Sequence, residues 1–252
     1  MARAAVLGRL AVPATLTWRV ATVAALRDET ATARTLGLDV PGWPGHLAGQ
    51  HVDVRLTAAD GYTAVRSYSI ASDAAGDRIE ITVERIRDGE VSPYLAQAAA
   101  VGIPLEVRGP IGGWFTWRPD QSEPVQLVAG GSGVVPLMAM VRAHAAAGSA
   151  TPIRLLYSPR RPDTVIYRDE LARRAGAGRP VDFAYTRVTP PGWARPPGRV
   201  DAALLAATTF APDVAPTCYV CGPTAFVETI ADLLLATGHD AARVRTERFG
   251  GP

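Results

Sequence analysis

The sequence predicts two domains in series: an antiparallel β-barrel, then a Rossmann-like α/β domain built on a parallel sheet. Three observations carry this prediction. Short strand-like runs broken by turn signals fill the first half of the chain. Strand-like and helix-like runs alternate through the second half. A Gly-rich segment, Gly130-Gly131-Ser132-Gly133-Val134-Val135-Pro136, joins an apolar strand to a helix just after the change. The change itself falls at Arg118-Pro119-Asp120, which places the domains at 1–120 and 121–252.

In the first half, Trp18 to Val23 reads as a strand. His51 to Leu56 alternates polar and apolar residues, as a half-buried strand does. Ala64 to Ile70, Arg78 to Arg85 and Pro104 to Val107 follow. Asp60-Gly61, Ala75-Gly76-Asp77 and Asp88-Gly89 supply the turns. One short helix fits, Ser92 to Ala100, with Ser92 as N-cap and Pro93 at its first position. In the second half, Val125–Ala129, Ile153–Tyr157, Val181–Tyr185 and Cys218–Val220 read as strands. Pro136–Ala147, Thr164–Ala175, Val200–Ala207 and Thr224–Thr237 read as helices. Pro190 to Pro197 is a Pro-rich loop.

Composition narrows the function classes. The chain has 252 residues, 48% of them hydrophobic and 20% charged, which suits a packed soluble core. A net charge of +2 argues against a nucleic-acid groove. No Lys occurs, so all 26 basic residues are Arg, and any anion site must use Arg or backbone N–H groups. No apolar run reaches membrane-spanning length, and Met1 to Pro13 lacks the apolar stretch of a secretory leader, so a cytoplasmic protein is expected. Four scattered His and two Cys give no metal-ligand spacing. Cys218 and Cys221 form a C-x-x-C pattern, but on a strand they point to opposite faces and do not read as a redox dithiol.

The Gly-rich segment makes mechanical sense as a pyrophosphate cradle. Gly131 and Gly133 let the backbone turn and approach a phosphate, the helix N-terminus offers free N–H groups, and Pro136 sits where a missing N–H is tolerated. The same pattern also serves as a ligand-free strand-to-helix turn. At the end of the next strand stands Tyr157-Ser158-Pro159-Arg160-Arg161. Ser158 and Arg160, with Arg161 or Arg168 adding positive field, suit a 2′-phosphate and favour NADPH over NADH. A solvated basic loop is the alternative. Tyr68 alone reads as an ordinary core aromatic, and Glu247 as a solvated tail residue.

Taken in order, Arg66-Ser67-Tyr68-Ser69, Gly89-Glu90-Val91-Ser92, Gly131 to Pro136, Cys221-Gly222-Pro223 and Glu247-Arg248-Phe249 resemble the ferredoxin–NADP reductase superfamily over nearly the whole chain. The resemblance implies a flavin-binding barrel and an NAD(P)-binding α/β domain. It implies that Arg66 pairs with flavin phosphate, Ser67 lies beside it, Tyr68 stacks on the isoalloxazine, and Ser69 reaches toward flavin N5. Val83 and Arg85, on the strand before, are placed by the cofactor, and Gly89, Val91 and Ser92 at its phosphate. Thr186 and Cys221-Gly222-Pro223 surround the nicotinamide, with Cys221 packing near C4 and not acting as a covalent nucleophile. Glu247 and Phe249 lie near the flavin edge. Ser69, Cys221 and Glu247 are the catalytic candidates. Trp114 suits an adenine, which favours FAD over FMN. Two Cys cannot hold an iron–sulfur cluster, so a separate carrier, a ferredoxin or other metalloprotein, takes the electrons from a monomeric enzyme. A diaphorase acting on quinones or free flavin, and a flavin-binding regulatory subunit, are the alternatives.

Overall fold

A computed structural model describes residues 16–73, 76–176 and 181–249. The first half forms a six-stranded antiparallel sheet from β1 (Trp18–Asp28), β2 (Ala33–Asp39), β3 (His51–Thr57), β4 (Thr63–Ser69), β5 (Arg78–Glu84) and β6 (Pro104–Ile111). Their order is β4-β3-β6-β1-β2-β5. The two end strands approach each other through an Ile70–Ile81 bridge and a 2.7 Å bond from the Ala71 amide to the Glu80 carbonyl. That contact curls the sheet into the predicted barrel. Val23, Leu36, Leu38, Val52, Val54, Ile79, Ile81 and Val107 fill its interior.

The second half is a parallel sheet ordered β11-β10-β7-β8-β9. Its strands are β7 (Val125–Gly130), β8 (Ile153–Ser158), β9 (Val181–Phe183), β10 (Thr217–Pro223) and β11 (Val244–Phe249). Its helices are α1 (Val134–Ala146), α2 (Arg168–Gly176), α3 (Ala202–Thr208) and α4 (Thr224–Ala236). β7 and β10 are buried almost end to end, as central strands of a sheet covered on both faces must be. Among the described residues no helix is long and apolar enough to cross a membrane.

Helix α1 ties the halves together. One apolar cluster joins its Val134, Leu137, Met138 and Met140 to Ala48, Phe115 and Trp117 from the first half. The fit at this seam is tight: a Cβ on Gly49 would lie 2.7 Å from the Met140 methyl carbon.

Several expectations need correction. The helix expected over Ser92–Ala100 begins at Ser92 and Pro93 and ends in a π-helical turn, Tyr94–Ala98, but Ser92 does not cap it. Its hydroxyl accepts instead from the Ile86 amide at 3.0 Å, pinning the preceding loop. The helix expected from Thr164 begins at Arg168, after a 3₁₀ turn at Pro162–Thr164. The strand expected to reach Tyr185 ends at Phe183. Strand β2 went unread because its burial runs nearly continuous and does not alternate.

Candidate active site

Three chain segments meet where the barrel faces the sheet. Strand β4 carries Ser69 at its end. Strands β10 and β11 run parallel with Cys221 paired to Glu247. The Ser69 hydroxyl donates across the domain boundary to Glu247 Oε1 at 3.4 Å. Burial pushes the Glu247 carboxyl up to about 7, and the Ser69 hydrogen bond only partly offsets this. Burial, and then the neighbouring Glu247, holds the Cys221 thiol well above its ordinary range. Such a sulfur stays protonated and is a packing group, not a nucleophile.

The Gly-rich turn lies against the same point. Gly131 adopts φ +54°, which a side chain would disfavour. A Cβ on Gly133 would sit 2.1 Å from the Cys221 carbonyl oxygen. The turn that opens α1 therefore presses on the end of β10, and its N-terminal amides lie beside the Cys221 segment. Pro136 sits within the first turn of α1, where its missing N–H costs nothing. On β10, Gly222 packs under Phe226, and Phe249 of β11 stands beside Pro223.

On the barrel, Arg66 and Tyr68 pair across the ladder with Val54 and Val52, so they share one face of β4. Arg66 is exposed and held at 2.6 Å by Glu90, whose other oxygen accepts from the Tyr62 hydroxyl. Tyr68 is half-buried, and burial pushes its phenol up to about 12. Gly89 leaves room for the Ser92 hydroxyl, which a Cβ there would meet at 2.8 Å. Val91 and Ser92 are buried at the start of the helical turn. Trp114 is 61% exposed, with the Arg245 guanidinium 5.3 Å from its ring centre.

Four site expectations fare differently. Ser67 points to the other face of β4 and donates to Asp53, which also receives Arg108; its hydroxyl is taken. Val83 is fully buried inside the barrel and offers no side chain to a ligand. Arg85 lies beyond the end of β5, lining a depression with Thr30, Arg34 and Gln97. Ser158 is buried and donates to the Ala184 carbonyl at 3.1 Å. Arg160 is exposed, and its carbonyl accepts from the Arg187 amide at 2.9 Å, which sets these two exposed arginines side by side. Arg187 was absent from the sequence expectations; its place after Thr186, in an irregular segment, gave no local signal. Thr186 is half-buried on that segment, its amide bonded to the Pro159 carbonyl.

Cys218 and Cys221 occupy opposite faces of β10, as the strand reading requires. Cys218 packs with Val128 and Leu156, Cys221 with Ala129 and Leu155.

These residues fit a flavin and a dinucleotide: an exposed Arg and half-buried Tyr on one strand, a Cβ-intolerant turn at a helix start, and a protonatable carboxyl between the domains. The comparisons with known proteins agree. The oxidoreductase FAD-binding domain model matches residues 22–116, and the oxidoreductase NAD-binding domain model matches residues 127–232. The chain is 33% identical over 211 residues to ferredoxin–NADP reductase B of Sorangium cellulosum, covering 80% of this chain and 84% of that one.

The chain belongs to the ferredoxin–NADP reductase superfamily.

Other members of that superfamily are similar in part. The glycine betaine monooxygenase reductase subunit of Chromohalobacter salexigens is 31% identical over 80% of this chain, which spans 55% of that relative. The ferredoxin reductase component of Mycobacterium tuberculosis 3-ketosteroid-9-alpha-monooxygenase is 30% identical over 90% of this chain, which spans 64% of it. Among solved structures, the FAD/NAD-binding domain of Vibrio cholerae nitric oxide dioxygenase superposes with a TM-score of 0.82 at 25% identity, covering 92% of this chain and 99% of that one. The Neisseria gonorrhoeae ferredoxin NADP+ reductase with bound FAD and NADP has the same fold, with a TM-score of 0.76 at 20% identity over 92% of this chain and 98% of that one.

Proposed function

We propose that this protein is an FAD-dependent NAD(P)H oxidoreductase that prefers NADPH and passes electrons to a separate carrier protein. FAD, when bound, supplies hydride acceptance from nicotinamide and release of electrons one at a time. The single observation that carries the reading is the convergence of Ser69 from the barrel with Cys221 and Glu247 from the sheet, beside the turn of Gly131 and Gly133.

The chain's own residues bind, orient and exclude water. Arg66 neutralises phosphate, exchanging or sharing its Glu90 partner. Tyr68 offers a flat apolar face at the end of the barrel. Val91 and Ser92 stand at the start of a helical turn, and Trp114 offers an exposed ring for an adenine. The α1 N-terminus receives the dinucleotide pyrophosphate. Thr186, Cys221, Gly222 and Pro223 shape the nicotinamide slot, where the protonated Cys221 sulfur limits ring approach without bonding to it. The Ser69 hydroxyl donates to Glu247, and it would be free to turn toward a bound flavin once Glu247, whose carboxyl lies near neutrality, holds a proton of its own.

The NADPH preference rests on Arg160 and Arg187. Both guanidinium groups are exposed, and neither forms a salt bridge among the described residues. Ser158 drops out of this role because its hydroxyl serves Ala184. A cytoplasmic location is part of this proposal. The proposed enzyme acts as a monomer. The junction between the halves belongs at about 118–124.

Purified protein reconstituted with FAD should bind one flavin per chain and bleach anaerobically with NADPH faster than with NADH. Protein that takes up no flavin, or flavin that neither dinucleotide bleaches, overturns the reading.

A further inference from the structure

Away from Ser69 and Glu247 the two halves are tied again, through buried polar groups that the proposed chemistry does not use. Thr35 and Thr82 are neighbours across β2 and β5, with their hydroxyls 2.7 Å apart. Thr35 donates to Glu29 Oε1 at 2.7 Å. Its only hydrogen is thereby spent, so Thr82 donates to Thr35. Thr82 in turn has no second hydrogen, so Tyr167 in the α/β half donates to Thr82. The Tyr167 amide donates to Glu29 Oε2 at 3.1 Å and closes the ring. Tyr167 is buried, with φ 59° in the left-handed region, a conformation that surrounding contacts must hold in place.

Arg142 adds a second bridge beside the ring. Its guanidinium lies 4.7 Å from the Tyr167 ring centre. It donates to Glu170 of α2 at 2.6 Å, and across the boundary to the Ala71 carbonyl at 2.7 Å and Glu80 at 3.3 Å. Arg142 sits on α1, the helix that follows directly on the dinucleotide turn of Gly131 and Gly133. Glu80, Arg142, Tyr167 and Glu170 border a cleft of about 1000 Å³ between the halves. An open cleft spanned by directional bonds is where a change of domain angle would register.

We propose that Glu29, Thr35, Thr82, Tyr167 and Arg142 form an interdomain clamp that sets the angle between barrel and sheet, making Tyr167 and Arg142 positioning residues for hydride transfer. The inference rests on the reductase reading above, because the angle matters only if the rings on either side must align. A misplacement of about 1 Å at reacting atoms costs on the order of 100-fold in rate.

The test uses the full chain with Thr82→Val, which keeps the shape of β5 and removes the relay, together with Tyr167→Phe and Arg142→Met. Two readouts are taken: anaerobic reduction of the FAD-loaded protein by NADPH in a stopped-flow instrument, and hydrogen exchange of the flavin-free protein. The expected result is a limiting reduction rate at least about 10-fold lower, weaker long-wavelength charge-transfer absorbance, and flavin content and dinucleotide affinity within about 2-fold. Exchange should rise on both sides of the boundary, at β5 and at the segment leading into α2. Unchanged limiting rate and absorbance in folded Thr82→Val protein overturns the clamp, as does a rate loss accompanied by exchange confined to β5. If unmodified protein is bleached by neither dinucleotide, the reductase reading fails by itself, and the exchange arm still decides whether the clamp exists.

Discussion

Gly133 and Cys221 touch so closely that no side chain fits between them: a Cβ on Gly133 would stand 2.1 Å from the Cys221 carbonyl oxygen and 2.4 Å from its carbonyl carbon. The obstacle is backbone, which cannot swing aside. Gly133→Ala should therefore cost about 1–3 kcal/mol of stability and displace the turn from the end of β10. The measurement is a denaturant midpoint together with NADPH affinity. An alanine variant as stable and as tight-binding as the parent would show that the turn yields more easily than its geometry implies.

Glu247 gives a pH dependence with a definite sign. Burial raises its carboxyl from an ordinary 4.5 to about 7 in the folded chain. The folded state thus binds a proton that the unfolded state releases first. Its contribution to stability is complete below about 4.5 and is lost as pH rises through about 7. Glu247→Gln should flatten thermal stability between those limits. It should also remove an apparent pKa near 7 from the limiting rate of flavin reduction. Parallel pH profiles for parent and variant would sink this assignment.

Ser69→Ala removes the side-chain bond that, among the described residues, reaches Glu247 from the barrel. Reduction by NADPH should slow by about 10–100-fold while FAD affinity changes little, since general acid–base contributions of this kind act in the transition state. Stopped-flow reduction and a flavin titration separate the two effects. Equal loss in both would make Ser69 a binding residue.

Arg160 and Arg187 should share the 2′-phosphate. Replacing either with Ala should weaken NADPH binding by about 10–100-fold, the worth of a charged hydrogen bond, and leave NADH binding nearly unchanged. Titration with both dinucleotides is decisive: a loss common to both would place these side chains on the shared pyrophosphate instead.

Cys221 and Cys218 should resist thiol reagents. Burial raises both, Cys218 to about 12 and Cys221 well above its usual range. Colour from a disulfide reagent should develop only on unfolding, and Cys221→Ala should keep the flavin while changing the reduction rate. Rapid labelling of native protein would contradict the buried placement.

Much of this architecture was legible in the chain. The Val125–Ala129 strand, the glycines after it and the apolar helix form a local unit, so pattern and turn chemistry sufficed. Arg66 and Tyr68 fall on one face by period alone. What escaped depended on partners distant in sequence. Ser67 and Ser158 look like ligand hydroxyls until Asp53 from β3 and Ala184 from just past β9 arrive to claim them. Val83 and Arg85 are two apart, yet the strand ends between them and only Val83 enters the interior. Strand β2 lacks alternation because it is buried nearly throughout. The tie between Ser69 and Glu247 spans 178 residues, beyond the reach of any local pattern.

The strand that carries Arg66, Tyr68 and Ser69 ends the row of barrel strands, zipped fully on one side and stitched to β5 through the few residues that follow it: the Ile70–Ile81 bridge, the Ala71 amide and the Ser72 hydroxyl, which accepts from the Glu80 amide. We expect a bound flavin to be released by parting those stitches, with the five full ladders left intact. Loss of colour during purification would then report an unbuttoned hem and not a denatured protein, and adding FAD back should restore it without refolding.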